Sequence, residues 1–428
     1  MKFAATRSFA RALDRQDPLK KFRGQFHLPR VNGRTALYFT GNSLGLQPKS
    51  AKRYISQELT DWARLGVEGH FHAQHPWLHY HKLARKTLGQ LVGAKPAEVV
   101  AMNQLTVNLH LMMVSFYRPT AKRYKILTES GAFSSDQYAF ESQLRWHGHN
   151  PDEALVELAP RPGEHCLRTE DILAAIHQHG PQLALVIFGG VQYYSGQFFK
   201  IREITAAAHR VDAYCGFDLA HAIGNVPLAL HRDEVDFAVW CSYKYLNAGP
   251  GSIAGAFVHE KHGRSFSIPR LAGWWGHDEK ARFKMEKGFV PMPGVDGWQL
   301  SNFPVLSGAA YLASLQIFAE AGIKRLRQKS VQLTGYLEFL LQQIDPDGRY
   351  FTVLTPAAKD ERGCQLSVFM HVRGRQVFKR LTDRGVVADW REPNVIRLAP
   401  VPLYNSFEDV FSLAEILAEA LKSPSRKK

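Results

Sequence analysis

The sequence predicts an α/β fold: a large domain on a mainly parallel sheet sandwiched by helices, plus a smaller α+β C-terminal domain completed by N-terminal helices. Three observations carry that prediction. Short apolar runs alternate with amphipathic helical stretches from about residue 95 to residue 258, the pattern of strand–helix–strand crossovers. Two of those runs, Tyr214-Cys-Gly-Phe-Asp218 and Phe237-Ala-Val-Trp-Cys-Ser-Tyr-Lys244, deliver a charged residue into a turn. At 428 residues the chain is also too long for one small core. The expected division is 1–50 as a helical segment packing with the small domain, 51–305 as the large domain, and 306–428 as a connecting helix and the small domain.

Taken in order, residues 1–30 read as amphipathic helices. Ala36–Pro48 is a short strand and a Gly-rich loop, closed where Pro48 can open a helix. A helix over 51–65 follows, with Ile55, Leu59, Trp62 and Leu65 near helical spacing. His70, His72, His75, His79 and His81 then crowd together, but no Cys or carboxylate joins them. No metal site is expected there; one or two of these histidines face a substrate instead.

At Leu105-Thr106 a helix opens after a polar turn. Its free N–H groups and the Thr106 hydroxyl suit a phosphate, or are no more than an ordinary helix start. A strand at 124–129 leads to Phe133-Ser134-Ser135-Asp136, which begins the next helix and leaves Phe133 free to stack on a planar ring. Strands at 154–158, 183–188 and 253–258 and helices at 169–179 and 201–210 complete the alternation. The Gly/Pro-rich stretch 270–305, with Trp274 and Asn302, holds too many large side chains for a linker and is expected to cover a pocket or a subunit interface. Beyond it come a helix at 306–320, strands at 365–372 and 395–398, and helices at 376–384 and 407–422.

The formal charge of +15 invites a nucleic-acid reading, but the basic residues are dispersed, with clusters only at 20–23 and 425–428. Nucleic acid is not an expected partner; the charge suits small anionic ligands. The scattered Cys166, Cys215, Cys241 and Cys364 show no paired spacing, and no apolar run reaches membrane-span length. Buried thiols, a reducing cytoplasmic location and no membrane partner are expected.

A lysine in a partly desolvated site, walled by Trp240, Tyr243 and Tyr245, suits Schiff-base chemistry, because only the neutral amine attacks an aldehyde. A carboxylate such as Asp218 keeps the pyridine nitrogen of pyridoxal phosphate (PLP) protonated, which that cofactor needs as an electron sink. Strand–Asp-x-x-His followed by strand–Lys is the order in PLP enzymes of the aspartate-aminotransferase fold type.

The resemblance becomes specific over Tyr38–Pro48, Leu105-Thr-Val-Asn-Leu-His, Phe133-Ser-Ser-Asp136, Gly216-Phe-Asp-Leu-Ala-His-Ala-Ile-Gly-Asn225, Trp240-Cys-Ser-Tyr-Lys-Tyr-Leu-Asn-Ala-Gly249, Arg282-Phe-Lys-Met and Ile396–Ser406. Across these, nearly end to end, the chain resembles the kynureninases. They are PLP-dependent homodimers with active sites at the subunit interface, and they hydrolyse kynurenine or 3-hydroxykynurenine to anthranilate or 3-hydroxyanthranilate plus alanine. The resemblance implies that Lys244 carries the cofactor and shuttles the Cα proton, that Asp218 pairs with the pyridinium, and that His221 lies near the phenolic oxygen or phosphate. It gives Phe133 to the ring face, Asp136 to the polar edge, and Leu105, Thr106 and Tyr243 to the phosphate, with Ser134 and Ser135 alongside. Tyr243 is equally a candidate proton relay. Trp274 and Asn302 would reach the phosphate from the neighbouring subunit, Arg397 would grip the substrate α-carboxylate, and His70 and Asn302 would meet its aromatic end. Gly189 departs from members that carry a cofactor-contacting Ser. The alternatives are a desulfurase using Cys364, an aminotransferase, or a phospho-ligand binder on an inactive scaffold; between the two substrates, the hydroxylated one is expected.

Overall fold

A computed structural model describes residues 2–265 and 267–422; the basic cluster at 425–428 lies outside the described residues. Seven strands form the central sheet: β1 (Val99–Ala101), β2 (Lys125–Glu129), β3 (Leu155–Leu158), β4 (Leu183–Gly189), β5 (Tyr214–Asp218), β6 (Phe237–Trp240) and β7 (Gly255–Val258), in the order β1-β7-β6-β5-β4-β2-β3. The pairings from β6 through β3 are parallel, whereas β7 is antiparallel to both β6 and β1. The reason is local: no helix lies between β6 and β7 to carry the chain back across the sheet. β1 is three residues long, too short for periodicity to reveal it from sequence.

The main helices are α1 (Arg7–Gln16), α2 (Ala51–Leu65), α3 (Leu105–Phe116), α4 (Ser134–Trp146), α5 (Thr169–His179), α6 (Ile201–Arg210), α7 (Val305–Ala321), α8 (Ile323–Ile344), α9 (Gly374–Asp383) and α10 (Phe407–Lys422); those from α2 to α7 cover the central sheet, and α1, α8, α9 and α10 pack with the second sheet. Because the parallel strands are covered on both sides, they read as unbroken apolar runs: six of the seven residues of β4 are buried. Sequence reasoning overlooked α8. Gly322, at φ 75°, ends α7, and the next helix starts one residue later, so two helices share one apolar stretch.

The second sheet, β8 (Phe351–Val353), β9 (Leu366–Met370), β10 (Asp389–Arg391) and β11 (Val395–Leu398), is antiparallel in the order β8-β9-β11-β10. Its apolar core takes in Ala10 and Leu13 of α1 with Leu333, Leu337 and Leu417. Leu37–Tyr38 pairs in parallel with Val386–Val387. Buried Lys329 ties the segment after α1 in place, donating to Asp17 Oδ2 and to the Pro402 carbonyl, each at 2.8 Å.

α2 lies where the sequence predicts but faces the other way. Leu59 and Trp62 are 44% and 60% exposed, while Glu58 and Asp61 are buried. The inversion is stabilised by donors to the buried acids: Trp77 Nε1 and Tyr80 Oη to Glu58 at 2.9 and 3.0 Å, and the Gln74 N–H to Asp61 at 3.0 Å. An acid also anchors the amino-terminal end of β6. Asp236 accepts from His209 Nε2 (2.9 Å), His262 Nε2 (2.7 Å) and the Cys215 N–H (2.7 Å), with Lys261 Nζ at 2.8 Å.

Candidate active site

The cleft opens at the carboxyl ends of β2, β4, β5 and β6. β2 ends in Glu129, β4 in Gly189 and β5 in Asp218, and the chain after β6 turns to present Lys244. The turn is braced from below by the 38–48 loop: the Gly45 N–H donates to the Tyr243 carbonyl at 2.8 Å. A Cβ at Gly45 would lie 2.3 Å from the Lys244 carbonyl and from Asn247 Oδ1, so only glycine fits there.

Lys244 Nζ lies 3.1 Å from His221 Nε2, 5.5 Å from the Phe133 ring centre and 5.8 Å from that of Tyr243. The wall beside it is therefore Phe133, His221 and Tyr243; Trp240 and Tyr245 are buried away from the cleft. Burial, together with the Lys244 and Arg397 charges, holds His221 well below the usual histidine range, so its imidazole is neutral. Its Nδ1 is buried with no hydrogen-bond partner. Burial pushes the Tyr243 phenol up, leaving it a donor at neutral pH.

Opposite the lysine stand three acids. Asp136, in the first turn of α4, is buried; burial and the Asp218 charge hold its carboxyl well above the ordinary range. Asp218 is also raised by burial, opposed by Asp136 and Lys244, and its Oδ1 accepts the Ala220 N–H at 2.7 Å. Glu129 takes the Gly189 N–H on its two oxygens at 3.0 and 3.2 Å, and burial pushes it up to about 7. Three clustered carboxyls with raised values want a cation among them.

The first turn of α3, with Leu105 and Thr106 on the cleft wall, has no side-chain cap at Gln104, so its N–H groups are free to meet an anion. One cationic ring nitrogen, one aldehyde, one phosphate and one flat face match the acids, Lys244, the α3 terminus and Phe133 in turn. PLP fits this donor set, and the partnerless His221 Nδ1 awaits a polar atom.

The cleft thus gathers Leu105, Thr106, Phe133, Ser135, Asp136, Asp218, His221, Tyr243 and Lys244. Ser134 is exposed beside it. Arg397 is buried behind Tyr193, whose carbonyl accepts its Nη1 at 2.7 Å. His70, Trp274 and Asn302 lie elsewhere: His70 Nδ1 is 3.0 Å from the Val67 carbonyl, Trp274 is 42% exposed, and Asn302 is exposed. Gly189 lines the cleft with no side chain to contribute. Sequence reasoning missed Glu129 and Tyr193. Glu129 carried the signal that singled out Asp218, an acid closing an apolar strand; Tyr193 sits in a loop with no such mark.

A profile of the Kynureninase C-terminal domain matches residues 326–417. The kynureninase of Flavobacterium psychrophilum is 56% identical, covering 98% of this chain and 99% of its own. That of Myxococcus xanthus is 55% identical over 97% of each chain. Among solved structures, a cysteine desulfurase from Thermococcus onnurineus superposes with a TM-score of 0.76 at 16% identity, covering 94% of this chain and 98% of its own. A variant of C-DES with glycine covalently linked to its PLP cofactor superposes at 0.73 and 18% identity, covering 89% and 96%. At such identities these structures speak to the fold alone. The bacterial relatives speak to descent: with more than half of all positions shared over nearly the whole length, the chain belongs to the kynureninase family.

Proposed function

We propose that this protein is a kynureninase, a PLP-dependent hydrolase that cleaves the Cβ–Cγ bond of kynurenine or 3-hydroxykynurenine to give anthranilate or 3-hydroxyanthranilate plus alanine. The observation that carries the reading beyond descent is Lys244 set with Asp218 and Asp136 in one cleft, with the Phe133 ring 5.5 Å from the lysine Nζ. When bound, PLP supplies an electron sink for carbanionic character at Cα and Cβ of the substrate.

The chain's own groups do the rest. Lys244 would hold the cofactor through its aldehyde and is placed to move the proton at Cα. Asp218 holds the proton on the ring nitrogen, and Asp136 shares its charge. The N–H groups at Leu105 and Thr106 hold the phosphate, and neutral His221 offers Nδ1 to the cofactor's edge. Tyr243, neutral and half-buried, donates either to the phosphate or to the departing carbon. Arg397 holds the α-carboxylate. Residues 51–305 form the cofactor-binding unit; 306–428, with 1–50, carry Arg397. The outward apolar face of α2, and the distance of His70, Trp274 and Asn302 from the cleft, support a homodimer in which a second copy completes the aromatic and phosphate ends. Among the described residues no helix is long and apolar enough to cross a membrane, in keeping with a cytoplasmic enzyme.

A desulfurase would need a mobile nucleophilic thiol. Cys364 is fully buried, and burial pushes its thiol up to about 12, the opposite of what a nucleophile requires. The test is turnover of the PLP-loaded protein on kynurenine and 3-hydroxykynurenine side by side. Faster turnover of the hydroxylated substrate is expected, with His70 and Asn302 as the selecting pair. No turnover of either overturns the reading.

A further inference from the structure

The carboxylate end of the site holds a second acid with a defined task. Asp389 on β10 pairs directly with Arg397 on β11. Its Oδ1 accepts from Arg397 Nε at 2.9 Å and lies 2.8 Å from Nη2, while the Tyr193 carbonyl takes Nη1 at 2.7 Å. Arg391, on the same face of β10, brings Nε to 3.0 Å from Asp389 Oδ1 and Nη2 to 3.4 Å from Oδ2. One carboxylate therefore bridges two guanidiniums, and the Arg397 side chain is 1% exposed.

A guanidinium has five N–H donors in a fixed plane. At Arg397 two are hydrogen-bonded, Nε–H to Asp389 and one Nη1–H to the Tyr193 carbonyl, leaving one N–H on Nη1 and the pair on Nη2. Two such donors are what bidentate capture of a carboxylate needs. A free arginine stem samples many rotamers, and freezing it on binding weakens the complex. Here the freezing is done before any ligand arrives.

We propose that Asp389 is the positioning residue of the substrate-carboxylate site, fixing the plane of Arg397 so that its uncommitted terminal N–H groups meet the α-carboxylate. The proposal rests on the reading of Arg397 given above. The opposite role, an internal carboxylate that competes with substrate for Arg397, predicts effects of opposite sign.

The experiment uses the PLP-loaded protein and follows the near-visible cofactor band while titrating L-alanine, which carries the carboxylate, and ethylamine, which lacks it. Asp389→Asn should weaken alanine at least tenfold, raise KM for kynurenine by a similar factor, leave kcat within a few-fold and leave ethylamine unchanged. Asp389→Glu keeps the charge and should recover most of the alanine affinity; it also serves if the Asn variant folds poorly. Alanine binding unchanged or tightened in Asp389→Asn, or as weak in Asp389→Glu as in Asp389→Asn, overturns the proposal. Arg397→Lys isolates the underlying reading: if it binds alanine as the unmodified protein does, Arg397 is not the carboxylate site and that reading fails first.

Discussion

One buried acid at the amino-terminal end of the central sheet and three at its carboxyl-terminal end behave in opposite ways. At the amino end of β6, Asp236 is 1% exposed and is surrounded by two imidazoles, an ammonium and a backbone N–H, which together hold it far below the usual carboxylate range. At the carboxyl ends, Glu129, Asp136 and Asp218 are as deeply placed but face mainly one another, and all three are raised. Burial alone penalises both groups equally; the partners decide the sign. The lesson is one of completeness. The first cluster is neutralised by the fold, whereas in the second Lys244 offsets Asp218 only in part and all three carboxyls stay raised.

That contrast is broken most severely at Lys244. Lys244→Ala should abolish the near-visible absorbance of the PLP-loaded protein and lower turnover by about 10³-fold or more; a lysine-less variant with normal turnover would remove the functional end of the comparison altogether. Next comes the finished cluster. Asp236→Asn strips the negative partner from His209, Lys261 and His262 and should cost on the order of 3–5 kcal/mol in unfolding experiments at neutral pH. Because the folded Asp236 is depressed, its contribution is complete above the unfolded carboxylate value of about 4 and is lost as pH falls below it. The unmodified protein should therefore lose stability in acid more steeply than the Asn variant.

The smallest effect sharpens the unfinished cluster. Glu129 is raised to about 7, so between the ordinary carboxylate value and about 7 the folded chain binds more protons than the unfolded one. Stability of the cofactor-free protein should fall as pH rises through that window, by roughly 3 kcal/mol. Glu129→Gln should flatten part of that slope in thermal melts, and PLP should flatten most of it by supplying the missing positive charge. A slope unchanged in the Gln variant would mean that Glu129 does not titrate with the cluster.

Much of this was legible in the sequence, and what was not has physical reasons. The parallel strands announced themselves because both faces are covered. β1 and β10 are three residues each, shorter than any period can resolve. α2 was found, but not the burial of Glu58 and Asp61, which rests on donors from residues 74–80 that no helical pattern contains. In the site, Lys244 and Asp218 stood out because each follows an apolar strand in a turn. Asp389 did not, since its meaning comes from cross-strand register with Arg397, and register is not written in local spacing. His70, Trp274 and Asn302 were reached through family likeness alone, and nothing within one chain brings them to the cleft.

The stitching of α1 to the far end of the chain bears on how the protein is made. Arg7 donates to Glu408 at 3.0 Å, the N–H groups that start α10 bind Asp14, and Asp17 holds Lys329. A ribosome releases the amino-terminal helix first and its partners almost last. Throughout synthesis α1 must wait with its apolar side, Ala10 and Leu13, unsheltered while the central sheet assembles behind it. The contacts of α1 are thus supplied by segments about 300 to 400 residues further along the chain, so a chain lacking α10 would leave Arg7 and Asp14 without those partners.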